Sequence, residues 1–357
     1  MRARKFVPVL AVAGLALAAC GGDDDDAGGA DPTTGGTTAD TTVECPEREP
    51  LDDVSIGLVT DVGKVDDKSF NQSAWEGAQE AAEELDGEAN FIETTSATDY
   101  GTNIGQLVDS GANVIITVGF ALAEATTNAA VDHPDVTFIG VDQFQAATAC
   151  NVTGLVFPED QAGFLAGALA GLLTESGTVA AVLGTDQVPP VVAFNEGFRN
   201  GAQHTNDGVN VISTYHPGGL DVAFTDPEWG ATTARQALDN GADIIFGAGG
   251  QTGNGALIET ARQDGALCIG VDTDQWETVP EAHGCLVTSA MKLIDQGVVD
   301  LLTQAADGSL MPGNFFGDVG LADYHDLADR VPDDVQTQIE ELTEQVLSGE
   351  VPTGYEP

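Results

Sequence analysis

Three aspartates stand at the ends of apolar runs: Asp61 after VSIGLVT (54–60), Asp142 closing TFIGVD (137–142) and Asp272 closing LCIGVD (267–272). An ionised carboxylate accepts hydrogen bonds and donates none, so such a trio suits a ligand rich in N–H and O–H groups. One aspartate at such a place more often caps a helix or ends a turn. Three at equivalent places, two of them in identical IGVD tetrapeptides at 139–142 and 269–272, point to a ligand. Thr60, Gly119, Gly184 and the Gly247–Gly250 turn occupy comparable positions.

Catalytic spacings do not accompany them. The chain has no GxSxG elbow and no HExxH, and its five histidines fall in no catalytic motif. GAGGQTGNG (247–255) lacks the GK[ST] of a phosphate loop, and DVGKVDD lacks the alternating acidic ligands and terminal Glu of an EF-hand. No metal site and no cofactor is expected, and the chain reads as a binder rather than an enzyme.

The elements that must position these residues follow from the hydrophobic pattern. VSIGLVT, NVIITVG (113–119) and TFIGVD are short β-branched runs, as in parallel strands buried on both faces. Residues 69–85 place Phe70, Ala74, Ala78, Ala81 and Leu85 at helical spacing. The rhythm restarts with TVAAVLG (178–184), NVISTYH (210–216), ADIIFGAG (242–249) and LCIGVD, with helices predicted over 159–174, 191–205, 226–240 and 253–265. Two such series predict two doubly wound α/β lobes, with ligand-facing residues at the carboxyl ends of the strands.

The remaining sequence bounds location and partners. Arg2, Arg4 and Lys5 precede an apolar run over 6–19, too short to span a membrane and laid out as an export signal. The run ends Leu17-Ala18-Ala19-Cys20, which looks like a lipobox, with Cys20 as the acylated N-terminus after cleavage. Residues 20–52 read as a flexible Gly/Asp/Thr-rich tether. The formal net charge of −47 over 357 residues repels phosphate backbones and anionic lipid, which excludes nucleic acid and leaves the lipid as the only membrane contact. Outside the cytoplasm, Cys45, Cys150, Cys268 and Cys285 can oxidise; four cysteines allow three pairings. Cys268 and Cys285 edge neighbouring strand-like runs and are expected to pair, leaving Cys45 with Cys150. A four-cysteine zinc site is the rival, but it has no CxxC spacing.

TDVGKVDDKSFNQSAWEG (60–77), VGF (118–120), IGVDQ (139–143), VVAFNEGFRNG (191–201), GAGGQTGNG, IGVDTDQ (269–275), TSAMKLID (288–295) and SGEVPTG (348–354) together resemble the basic membrane protein family. These are lipoproteins similar to the purine nucleoside receptor, substrate-binding components of ABC transporters. The resemblance implies a type I periplasmic-binding-protein fold, whose two Rossmann-like lobes are joined by a hinge and close over a nucleoside. It implies that Phe70 and Phe194 stack on the two faces of the base, with Asn71 at its edge and Phe198 left to the core. Asp142 would accept from the base, beside Asp61. Asp272 and the Gly249-Gly250 backbone would hold ribose hydroxyls, with Lys292 as hydrogen-bond donor and countercharge.

The implied partners are the nucleoside and the permease and ATPase subunits, and the chain is expected to be a monomer at the outer face of the membrane. The expected division is leader 1–19, tether 20–52, first lobe 53–152, second lobe 153–284, a return to the first lobe over 285–310, and a final segment 311–357 on the second lobe. The same fold could instead hold a sugar or another small polar ligand. A nucleoside hydrolase built on a calcium-bound aspartate cluster is the enzymatic alternative.

Overall fold

Apolar runs flanked by helical segments make two parallel sheets in the computed structural model, which describes residues 45–46, 48–146 and 149–356. The leader, Cys20 and nearly all of the tether lie outside the described residues. In chain order the strands are β1 (Ser55–Val62), β2 (Glu88–Thr94), β3 (Val114–Val118), β4 (Thr137–Val141), β5 (Val152–Val156), β6 (Thr178–Leu183), β7 (Asn210–Tyr215), β8 (Ile244–Ala248), β9 (Leu267–Asp272), β10 (Leu286–Lys292), β11 (Gly313–Phe316) and β12 (Val319–Leu321). The helices are α1 (Phe70–Glu84), α2 (Tyr100–Asp109), α3 (Ala123–Asp132), α4 (Glu159–Leu173), α5 (Pro189–Thr205), α6 (Pro227–Asp239), α7 (Gly250–Thr260), α8 (Gln275–Thr278), α9 (Ile294–Asp307) and α10 (Asp333–Leu347).

The first sheet has the order β2-β1-β3-β4-β5-β11 and the second β7-β6-β8-β9-β10-β12. The two orders correspond strand for strand, and among the described strands only β12 runs antiparallel to its neighbour. Central strands such as β3 (VIITV) and β8 (IIFGA) are buried along their whole length, because helices cover both faces of each sheet. Edge strand β7 is only half-buried, as its sequence NVISTY allows.

Three expected boundaries shift. β5 still pairs with β4, so the first crossing between lobes follows Val156 rather than residue 152. β10 stays in the second sheet beside β9, so the return begins after Lys292 and not at 285. β11 pairs with β5 in the first sheet, so the final segment joins the second lobe only from β12 onward. Strand partners are chosen by long-range register, which a local apolar pattern does not encode. The chain therefore crosses between sheets three times, near 157, 293 and 318.

Helix α4 packs on α5 through glycine. A Cβ at Gly163 or Gly167 would strike the backbone of Phe194 or Phe198, and one at Gly197 or Gly201 would strike the backbone of Asp160 or Phe164. The two helix axes can approach only because these positions carry no side chain. That approach fixes the backbone of Phe194, and Phe198 is fully buried against Phe246 with ring centroids 5.0 Å apart. Two disulfides join Cys45 to Cys150 and Cys268 to Cys285, with Cα atoms 5.3 and 5.0 Å apart. Among the described residues no helix is long and apolar enough to cross a membrane.

Candidate functional site

The carboxyl ends of both sheets face a cleft lined by Asp61, Phe70, Asn71, Asp142, Phe194, Gly249, Gly250, Asp272 and Lys292, among others. All nine residues singled out from the sequence as ligand-binding candidates therefore lie on one surface. The two IGVD motifs put Asp142 and Asp272 at equivalent turns, and both backbones are left-handed, with φ of 59° and 66°. Such a conformation is uncommon outside glycine and is tolerated best by Asp and Asn. It turns each carboxylate off its strand end and into the cleft. The glutamine that follows pins each turn. Gln143 donates to the carbonyls of Thr117 and Gly119, both at 3.1 Å, and Gln275 accepts from Val271 N at 3.0 Å. Asp61 is the last residue but one of β1, and Gly119, at φ 113°, lets β3 turn closely past its side chain.

Charge in the cleft centres on Lys292, whose side chain is almost wholly buried. Its Nζ donates to Asp142 Oδ2 at 2.6 Å and lies 3.7 Å from Asp272 Oδ1 and 3.8 Å from Glu159 Oε1. The resemblance assigns Lys292 to the ribose side; its shortest bond here is to Asp142. The same ammonium stands 4.5 Å from the centroid of Phe70 and 5.8 Å from that of Phe194, within range of cation–π attraction to both. Burial acts to drive the proton off Lys292, but Asp142, Asp272 and Glu159 outweigh it and hold the amine well above the usual lysine range. Burial raises the Asp142 carboxyl, while Lys292 opposes the rise. Burial, with the Asp142 charge beside it, pushes Glu159 up to about 8. Burial likewise lifts Asp61 to about 7 against the hydrogen bond from Asn71.

The SFN segment joins the two lobes. Ser69 Oγ donates to Asp272 Oδ2 at 2.8 Å, and the Lys68 carbonyl accepts from Gln275 Nε2 at 3.1 Å and Thr278 Oγ1 at 2.8 Å. Asp67 starts α1 by accepting the backbone N–H groups of Ser69, Asn71 and Gln72 at 3.0 to 3.1 Å. Asn71 Nδ2 donates to Asp61 Oδ1 at 3.1 Å, and Asn71 Oδ1 is buried with no partner among the described residues. Asp142 Oδ1 is likewise buried without a partner among the described residues. Unpaired buried acceptors are costly, and both residues line the cleft.

Sequence reasoning missed Asp67, Tyr100, Leu220 and Phe224 of the lining, together with Glu159 beside Lys292 and Ser69 on Asp272. Glu159 reads locally as an acidic residue in the first turn of a helix. Only the chain crossing before it brings it to Lys292. Asp67 and Ser69 lie within the quoted 60–77 motif, and the S/T/D-rich approach to α1 was their available signal.

The family described as "ABC transporter substrate-binding protein PnrA-like" matches residues 54–350. The chain belongs to that family. It is 30% identical over 328 residues to the "CD4+ T-cell-stimulating antigen" of Listeria monocytogenes, covering 85% of this chain and 89% of that one. It is 30% identical over 234 residues to the "ABC transporter nucleoside-binding protein BmpA" of Lactococcus lactis, covering 62% and 65%. Among solved structures it is similar to an ABC transporter solute-binding protein of Aeropyrum pernix, with a TM-score of 0.73, 24% identity and coverage of 84% and 92%. A solute-binding protein of Conexibacter woesei aligns with a TM-score of 0.68, 25% identity and coverage of 85% and 100%. The fold is that of the type I periplasmic binding proteins, and the family consists of binding proteins rather than enzymes. This chain is thus a substrate-binding protein of the ABC-transporter class, a kind that works outside the cytoplasm.

Proposed function

We propose that the cleft captures purine nucleosides, stacking the base between Phe70 and Phe194 and delivering it to an ABC importer. The observation that carries this reading is Asp142, whose Oδ2 is held by Lys292 while Oδ1 is buried with no partner among the described residues, in a cleft that Phe70 and Phe194 also line. A base with N1–H, as in inosine or guanosine, supplies the missing donor; adenine presents a lone pair there. Stacking contributes on the order of 1–3 kcal/mol per base and is indifferent to which purine is present. Asp272, the Gly249-Gly250 backbone and Lys292 are the groups that ribose hydroxyls would meet. The nucleoside-binding name of the Lactococcus relative supports the same assignment.

The chain is, on this reading, anchored by acylated Cys20 at the outer face of the membrane and works as a monomer with a permease and its ATPase. A Pyrococcus furiosus relative named "Uncharacterized lipoprotein PF1695", 29% identical over 329 residues, agrees with such an anchor.

Calorimetric titration with inosine, guanosine, adenosine, cytidine and ribose tests the ligand. Inosine and guanosine should bind most tightly and ribose least. Asp142→Asn replaces one acceptor oxygen with a donor, so it should weaken inosine and guanosine on the order of tenfold or more and adenosine less. Equal losses for all purines, or ribose binding as tightly as inosine, would refute the assignment.

A further inference from the structure

Away from the cleft, two of the five histidines stack on one tryptophan. His283 lies on Trp276 with centroids 3.8 Å apart and planes 5° from parallel, and His325 lies on it at 5.0 Å and 10°. His283 has its Nε2 engaged by the Trp276 carbonyl at 2.7 Å. His325 instead aims Nε2 at Asp274 Oδ2, 2.7 Å away. Glu277 completes the group: the nearest ligand atoms of Asp274, Glu277 and His325 all lie within 4.8 Å of one another. Asp274 is itself oriented, because its Oδ1 accepts the Trp276 N–H at 3.1 Å.

We propose that Asp274, Glu277 and His325 form a three-ligand site for a transition-metal dication of the zinc class. One imidazole and two carboxylates leave a tetrahedral ion one position for water, the composition of an open zinc site. Ligands about 2 Å from zinc stand roughly 3.3 Å apart, so a side-chain torsion of the exposed Glu277 is enough to close the set. Calcium and magnesium take oxygen ligands, and the imidazole counts against them. Trp276 supplies what a flexible surface histidine lacks, a ring plane already held so that Nε2 points at the carboxylates. Gln275 and Thr278 of the same short helix, α8, hold the Lys68 carbonyl of the first lobe. A bound ion would therefore brace a helix that contacts the first lobe.

Equilibrium dialysis against micromolar zinc, in a large excess of magnesium to saturate the acidic surface, tests the site. The wild-type protein should retain one zinc per chain. His325→Ala and Asp274→Asn, each shown by circular dichroism to be folded, should lower the affinity on the order of tenfold or more. His283→Ala removes the imidazole that points elsewhere and should leave zinc binding unchanged. Zinc displaced by magnesium from the wild-type protein, full retention by His325→Ala, or equal losses in His283→Ala and His325→Ala would each overturn the proposal. No nucleoside enters the measurement, so the result is independent of what the cleft binds.

Discussion

Replacing Glu159 by Gln isolates the electrostatic cost stored at the crossing between the lobes. Gln has the size of a protonated glutamate and cannot ionise, so the variant keeps the packing and removes one buried ionisable group. The Glu159 carboxyl lies 3.8 Å from Lys292 Nζ, and burial followed by the Asp142 charge raises it from an ordinary 4.5 to about 8. Between those values the folded chain holds a proton that the unfolded chain has released. Stability from this group is therefore complete below about pH 4.5 and is lost as pH rises through about 8.

Each pH unit in that window carries about 1.4 kcal/mol, which gives a ceiling of about 3 kcal/mol at pH 7, lowered by relaxation and water entry. The Gln variant has no such slope. Urea denaturation at pH 5, 6.5 and 8, at one fixed ionic strength, should show wild type losing stability relative to Glu159→Gln by roughly 1 kcal/mol per pH unit. Using one salt concentration throughout holds the general acidic repulsion constant for both proteins. Two stability curves that run parallel from pH 5 to pH 8 would refute the reasoning.

Three further perturbations probe the scaffold. Gly201→Ala should destabilise by about 1–3 kcal/mol in the same assay, because its Cβ meets the Phe164 backbone across the α4–α5 contact. Gly105→Ala, in α2 with no atom within 4 Å of the added Cβ, should instead gain up to about 1 kcal/mol from helix propensity. Replacing Cys268 and Cys285 together by Ser should lower the thermal midpoint, since a bridge over 17 residues contributes about 3 kcal/mol; non-reducing peptide mapping of the wild-type protein should return the Cys268–Cys285 and Cys45–Cys150 peptides.

The alternation of apolar runs with helical stretches, the repeated IGVD and the strand-end aspartates were all visible in the chain. They were visible because burial between helix layers and the polar ends of strands impose a local pattern on consecutive residues. The nine candidate residues share one cleft because both lobes repeat the same topology, so equivalent sequence positions become facing positions. The Cys268–Cys285 pairing was legible for a similar reason, since adjacent strands of one sheet bring their cysteines into range, and Cys45–Cys150 followed only by elimination.

Strand order at the lobe junctions was decided only in three dimensions. β5, β10 and β11 carry apolar runs that would fit either sheet, and partner register, not composition, assigns them. Glu159 joins Lys292 for the same reason: its neighbours in sequence are helix and turn, while its charge environment comes from residues far away along the chain. Raised carboxyls, an amine held charged while buried, and acceptors left without donors are properties of the assembled cleft. None is a property of any segment, because desolvation depends on what surrounds a group after folding rather than on the residues beside it in the chain.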